Sequence, residues 1–428
     1  MAGELDTPWG PADTLPAQRL RPGPGIPREQ VERNHRERLF GAMVAVVDEN
    51  GYEGMSVGGL AARAGVSRST IYEYFDDRDD CFFATFDELV AGAMERIASA
   101  YDGDGSWDER LRGVLETLVE IVVEQPAAAR LCLLEAYAAG PQAAARRERA
   151  GTAIEQLARH GMDRSPERAS MPPAVVRAIV GGLRTVIQRR LRSGAERELP
   201  RLTDELWQWV LSYRTPDPPL RRATTAPARR ARRPEQTDTL GRLFEAVARM
   251  ASEKGFAEMT VGDVVNDASM SLSTFYGHFP GKEEAFLAAC EAGVDDAIET
   301  GLRVFREHEG DWPERVHAGL RHLLAYLAGQ PEWTYMTTIE LFAAGARAQG
   351  RRDDTMDLFI GKLAPGGELP EQTPVALEAI GGALYTLFYS QIADKGAARL
   401  REILPTATFV ALAPFVGNEA AVAIANGD

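Results

Sequence analysis

Cysteine is nearly missing from this chain, with three residues in 428. Cys81, Cys132 and Cys290 are odd in number, far apart and set among apolar neighbours, which favours inert buried thiols over a disulfide or redox switch. No apolar run approaches the ~20 residues that span a bilayer, so no membrane segment is expected. The opening MAGELDTPWGPADTLPAQRL has no apolar stretch and carries early acids, so a secretion signal is not expected and a cytoplasmic location is. Histidine is scarce as well. His35, His160, His278, His308, His317 and His322 form no i, i+4 pair beside an acidic ligand, and no glycine-rich phosphate loop or G-x-S-x-G follows a strand. Neither metal, cofactor nor catalytic residue is therefore expected.

Positive charge is also in deficit, 48 lysines and arginines against 63 acids, for a net charge of −15. That total argues against a nucleic-acid partner, but its distribution does not. The segment 215–237 holds 6 basic and 2 acidic residues, whereas 1–214 holds 27 and 33 and 238–428 holds 15 and 28. Binding to DNA would rest on local basic patches. Long apolar-polar alternation is lacking too, while a 3.6-residue period recurs in LRGVLETLVEIVVEQ and LWQWVLSYR. The fold class is therefore read as all-α.

What the chain does have is a duplication. RLFGAMVAVVDENGYEGMSVGGLAARAGVSRSTIYEYFDDRDD from Arg38 lies over RLFEAVARMASEKGFAEMTVGDVVNDASMSLSTFYGHFPGKEE from Arg242 at an offset of 204, without a gap. The likeness continues at an offset of 205, through WDER at Trp107 and WPER at Trp312, to Glu135 before AYAAG and Glu340 before LFAAG. Whole domains are repeated.

Each copy reads as a helix-turn-helix. Val31 to Asn50 forms an amphipathic helix with Leu39, Phe40, Met43, Val46 and Val47 on one stripe, stopped by Gly51. Ser56 caps a short second helix whose orphan amides can meet a phosphate oxygen, and Gly65 supplies the turn. Ser67 caps a third helix on which Ile71 and Phe75 face inward. Arg68, Ser69, Thr70, Tyr72 and Tyr74 then project outward as a reading head for a major groove. In the second copy Thr260, Ser271, Ser273, Thr274, Tyr276 and His278 fall into the same roles.

At these residues the chain resembles the TetR family of bacterial transcriptional regulators, in both halves. AGVSRSTIYEYFDDR and ASMSLSTFYGHFPGK meet that family's alanine-glycine turn, its Ser/Thr-rich third helix ending Y-x-x-F, and a basic residue three positions on, here Arg78 and Lys282. The resemblance implies two units, each a three-helix DNA-binding head on a larger helical domain that senses a small ligand and dimerises through its last two long helices. It also implies a double-stranded DNA operator and a small-molecule effector as partners. The organisation expected is a flexible arm over 1–30, a head over 31–80, a sensing and dimerisation domain over 81–214, a Pro/Arg-rich linker over 215–237, a second head over 238–284, a second sensing domain over 285–420 and a tail over 421–428. Extended, the linker reaches roughly 75 Å at ~3.3 Å per residue, so it restrains the halves weakly.

The copies depart from one another and from the family. Ser269-Met270 replace Gly65-Val66, at a cost on the order of 1 kcal/mol if the turn needs a left-handed residue. Leu272 replaces Arg68, and Arg78 sits inside DDRDD, where carboxylates oppose a phosphate. Arg19, Arg21, Arg28, Arg33, Arg36 and Arg38, which precede or open the first head, and Arg221, Arg222, Arg229, Arg230, Arg232 and Arg233 before the second, either enter a minor groove or form solvated connectors. Candidate effector contacts are Glu135, Trp333, Tyr335, Glu340, Phe342, Tyr385 and Tyr389. The aromatic ones line a pocket or are ordinary core, and the two glutamates recognise a cation or pair with the arginines that follow them.

Function is read as a repressor relieved by a small apolar or amphipathic molecule, with a helical adaptor that has lost DNA binding as the alternative. The dimerisation helices of the first half carry Arg177, Arg184, Arg189, Arg190 and Arg192, whereas those of the second are acidic or uncharged, with Glu378 opposite Arg177 in the alignment. Unlike faces favour pairing of the halves within one chain, with Gly181-Gly182 and Gly381-Gly382 allowing close approach; a homodimer is the competitor.

Overall fold

A computed structural model describes residues 5–20, 26–102, 105–221, 239–342, 344–345, 348, 350, 360–363 and 373–427. Their regular structure is helical except for a hairpin of two short strands, β1 (Asp6–Thr7) and β2 (Gly10–Pro11). The first half runs through α1 (Arg28–Gly54), α2 (Val57–Ala64), α3 (Arg68–Tyr74), α4 (Arg78–Tyr101), α5 (Trp107–Glu124), α6 (Pro126–Leu133), α7 (Gly140–Met162), α8 (Pro173–Ser193) and α9 (Leu199–Leu211). The second supplies α10 (Thr239–Lys254), α11 (Val261–Asp267), α12 (Leu272–His278), α13 (Lys282–Glu307), α14 (Trp312–Gly329), α15 (Pro331–Thr338), α16 (Pro374–Lys395), α17 (Leu404–Val416) and α18 (Asn418–Asn426). Most of the linker, 222–237, lies outside the described residues.

The first compact body comprises Met1–Leu157 and Ile187–Thr203. Its α1 is interrupted where the sequence requires, because Gly51 adopts φ 70° inside the helical span. Burial on α1 is wider than a stripe: all ten residues from Arg38 to Val47 are buried. Helices α2, α4 and α6 pack around it, and the remaining side is covered by the segment 5–20, expected as part of a flexible arm, which instead folds across the helix. Thr7 Oγ1 donates to Gly10 O at 2.7 Å to close the hairpin, Trp9 lies 5.4 Å from the Phe40 ring, and Leu15 is fully buried. Gly41 is small enough for Leu15 and Thr7 to close over it. Burying a leucine side chain in this way stabilises by about 1.5–3 kcal/mol.

Arg38, also expected in an arm, is buried beneath this strap. Its Nε donates to Leu15 O at 3.0 Å, and its Nη2 to Gly65 O at 2.8 Å and to Ala64 O. It therefore ties the strap to the end of α2, and burial lowers its pKa.

The second body comprises Ala158–Val186 and Asp204–Asp428, so it is not bounded at the expected division between 214 and 215. Parts of three helices of the first half belong to it, the end of α7, the leading part of α8 and most of α9. A side chain at Gly181 would collide with Thr386, and one at Gly382 with Thr185. At Gly182 a Cβ would come within 2.5 Å of Ala379 O and 2.6 Å of Trp209. Bare backbone is what lets α8 and α16 close on each other. Trp209 and Tyr213 are buried beside them, and the Tyr213 hydroxyl donates to Val410 O at 2.9 Å. Arg168 closes the end of α9, donating to Leu211 O at 2.7 Å and Tyr213 O at 2.9 Å. The expected tail is helix α18, whose Ala421 and Val422 are buried.

Candidate DNA-reading heads

In head 1 the Ser56 hydroxyl accepts the Gly59 amide at 3.1 Å, which satisfies one orphan donor of α2. Gly65 ends α2 at φ 63°, ψ 37°, and Ser67 caps α3 by accepting the Thr70 amide at 3.1 Å. The Ser67 hydroxyl also meets those of Ser69 and Thr70, at 2.7 and 2.8 Å. With Ile71 and Phe75 buried, Arg68, Ser69 and Tyr72 face water. Thr70 and Tyr74 are half-buried, and the Tyr74 hydroxyl lies 3.1 Å from His35 Nδ1, so Tyr74 is braced against α1 and not free to project. Arg68 lays its guanidinium over Gly58, where a Cβ would come within 2.8 Å of it.

Head 2 repeats the frame with other chemistry. Thr260 caps α11 by accepting the Asp263 amide at 3.1 Å, and the Asp263 carboxylate returns to the Thr260 amide at 3.0 Å and its hydroxyl at 2.7 Å. A hydrogen bond from Lys254, with help from Thr260, holds Asp263 down at about 2. The equivalent position in head 1 is Gly59, so a carboxylate stands beside the α11 cap where head 1 has none. Ser269 adopts φ 53°, the left-handed conformation that Gly65 adopts freely. Ser271 caps α12 by accepting the Thr274 amide at 3.0 Å, and their hydroxyls meet at 2.9 Å. Ser273, Tyr276 and His278 are exposed and Thr274 is half-buried.

Tyr72 and Tyr276 occupy equivalent positions and are 58% and 57% exposed, and Leu272 beside the latter is 52% exposed. Both third helices thus hold large side chains with apolar surface out in water.

The basic residues after each Y-x-x-F are not poised for phosphate. Arg78 donates from Nη1 to Met55 O at 2.7 Å and lies over the Tyr52 ring. Lys282 directs its ammonium to three carbonyls, Phe256 O, Ala257 O and Met259 O, at 3.0, 3.0 and 3.1 Å. Three donors meet three acceptors, so both residues fasten the loop after the first helix of their head. Of the flanking arginines, Arg19, Arg33 and Arg36 are exposed and Arg28 pairs with Glu32 at 2.6 Å. Arg21, Arg222, Arg229, Arg230, Arg232 and Arg233 lie outside the described residues.

Of the effector candidates, Tyr335 lies within electrostatic reach of Glu340 and Tyr389. Trp333 is buried against Gly293, the Tyr385 hydroxyl donates to Thr338 O at 2.8 Å, Tyr335 and Tyr389 are half-buried, and the Phe342 side chain lies outside the description. Both glutamates are engaged by a backbone amide, and the arginines that follow Glu340, at 347, 351 and 352, lie outside the described residues. Glu135 Oε2 accepts the Tyr52 amide at 2.9 Å, and Glu340 Oε2 the Phe256 amide at 2.7 Å. Burial raises the Glu340 carboxyl above its ordinary value, and the Phe256 amide offsets part of that. An apolar cavity does exist in the second body, lined by Trp312, Leu320, Ile360, Leu384 and Phe415 among others, and it measures about 20 Å³. That is room for about one water.

Among the described residues no helix is long and apolar enough to cross a membrane, and no cluster of three or more His, Cys, Asp or Glu is disposed to hold a metal. The three thiols are free, and burial pushes those of Cys81 and Cys132 up to about 12.

The sequence pattern of the bacterial regulatory proteins of the tetR family matches twice, over residues 41–85 and 243–289. Each half thus carries a DNA-binding domain of the tetR family. It is 26% identical over 155 residues to the HTH-type transcriptional regulator EthR of Mycolicibacterium smegmatis, covering 31% of this chain and 71% of that one. It is 28% identical over 134 residues to the HTH-type transcriptional activator FasR of the same organism, covering 30% and 58%. The fatty acid metabolism regulator protein of Bacillus subtilis is 32% identical over 78 residues, covering 18% and 40%. The chain thus spans less than two thirds of the last two relatives. Among solved structures, a transcriptional regulator FadR from Bacillus subtilis in complex with stearoyl-CoA is similar over 41% of this chain and 97% of its own, with a TM-score of 0.39 and 18% identity. These relatives are transcriptional regulators by name, and both heads of this chain are helix-turn-helix domains of the tetR type.

Proposed function

We propose that the protein is a ligand-relieved repressor whose two halves pair within one chain and present two unlike heads to a single asymmetric operator. The observation that carries the DNA-reading part is the matched exposure of Tyr72 and Tyr276 on capped helices. Around them Arg68, Ser69, Thr70, Ser273, Thr274 and His278 supply donors and acceptors for base edges and phosphates, with Ser56, Ser67, Thr260 and Ser271 at the caps. Arg78 and Lys282 act by holding the loop and the reading helix in place. Pairing within the chain is supported by the fit of Gly181, Gly182 and Gly382 against Thr386, Trp209 and Thr185, and by the buried Tyr213 hydroxyl on Val410. Arg177 faces Asp394 at 3.7 Å, an exposed pair worth at most about 1 kcal/mol, so apolar fit outweighs charge there.

The effector is a small apolar or amphipathic molecule, in keeping with the lining around Trp312 and Phe415. It opens that cavity and favours a conformation whose heads no longer match successive major grooves, roughly 34 Å apart. Light scattering at micromolar concentration tests the pairing: a mass near 46.7 kDa supports it, and a stable mass of twice that value refutes it. Selection of duplexes from a random pool by the full-length protein tests the DNA reading. Recovery of no sequence would favour the adaptor alternative.

A further inference from the structure

The same carboxylate contact occurs once in each copy, and neither reading of the heads nor of the cavity uses it. Glu135 opens a one-turn 3-10 segment, Glu135–Tyr137, directly after α6, and Glu340 opens the equivalent segment, Glu340–Phe342, after α15. Each reaches out of its sensing region into its own head and accepts the second backbone amide after the body of the first helix, that of Tyr52 or Phe256. Both amides follow a left-handed glycine, Gly51 at φ 70° and Gly255 at φ 81°. At each glycine a Cβ would stand 3.3 Å from the same carboxylate oxygen, so these positions need both the backbone freedom and the open approach. A helix that stops at such a glycine leaves donors and acceptors without helical partners, and here a distant part of the chain supplies one. Lys282 and Arg78 hold the opposite side of the same loops through Phe256 O, Ala257 O, Met259 O and Met55 O.

We infer that Glu135 and Glu340 are positioning residues, latches that set the angle of each head against its sensing helices and thereby the register of the two heads on one DNA site. The inference rests on the DNA-binding reading above. A latch of this kind differs from ordinary support of the head, because its loss leaves each head able to read DNA and spoils only their joint placement.

The test uses full-length E135A/E340A, the single variants, and E135Q/E340Q, in which an amide oxygen still accepts the bond. The probes are the duplex selected in vitro by the wild-type protein and its two half-sites on separate duplexes. The latch predicts at least a tenfold loss of affinity of the double alanine variant for the intact duplex, no more than about twofold on either half-site, and recovery in the glutamine variant. Equal losses on intact and half-sites would mean the glutamates merely stabilise the heads, and unchanged affinity on all three would mean they do nothing for DNA; either overturns the latch. If the double variant fails to fold, the single variants give the same comparison. If the wild type selects no duplex at all, the DNA reading fails first and the latch falls with it.

Discussion

Between the two heads, positions 204 residues apart share a frame and differ in chemistry: Gly65 against Ser269, Arg68 against Leu272, Gly59 against Asp263. The elements held in common are those the fold demands, namely the caps at Ser67 and Ser271, the inward Ile71 and Phe275, and a glutamate on the loop amide. The elements that differ face water or the turn. Head 1 is further secured by the strap over 5–20 through buried Arg38, whereas the equivalent Arg242 of head 2 is exposed. Duplication has kept the scaffold and released the reading surface, as expected if the heads now serve unlike half-sites.

The largest effect separating the heads should come from the strap. Leu15→Ala removes a fully buried side chain and should cost head 1 about 2–5 kcal/mol, with α11 and α12 of head 2 unaffected. Hydrogen exchange read by peptide decides this, and equal loosening of both heads would break the comparison. Next comes the exchange of Arg68 and Leu272. An arginine at this position can take a guanine in a bidentate contact, and a leucine can contact a thymine methyl, with about 1–3 kcal/mol of discrimination. Exchanging them, R68L with L272R, should swap the base preferred in the two half-sites; binding arrays that show unchanged preferences would remove these residues from the reading.

How much of this was legible in the sequence depends on the range of the interaction. Caps, the Gly51 break, the inward Ile71 and the strained Ser269 are local, and spacing alone exposes them. The strap was not legible, since Leu15 and Trp9 are isolated apolar residues without a period and each strand of the hairpin is only two residues long. Arg38 was read as an outward arginine because its acceptors lie 23 to 27 positions away. The repeat of Glu135 and Glu340 was visible, but their targets, more than 80 residues distant, were not. Trp333 and Tyr385 show the same limit: helical spacing marks them as inward and cannot say whether inward means pocket or core.

Smaller effects sharpen the contrast. Ser269→Gly relieves a left-handed serine and should stabilise head 2 by about 1 kcal/mol in a denaturant titration, while Gly65→Ser should destabilise head 1, where Pro16 also crowds that position. The smallest concerns acid. Asp263 is held at about 2, below its ordinary value, so its contribution to head 2 is present above about pH 4 and is lost as pH falls toward 2. The difference in unfolding midpoint between the protein and Asp263→Asn should narrow over that window, and a constant difference would show that the Lys254 and Thr260 contacts do not favour the charged form.

The account turns on two unlike heads acting as one reader. The most direct measurement is the symmetry of the duplex that the full-length protein selects from a random pool, read together with footprinting of the bound fragment. We predict two different half-sites, spaced about one helical turn or a multiple apart, protected by a single chain. A palindrome of identical half-sites, bound equally well by the R68L/L272R exchange, would contradict it.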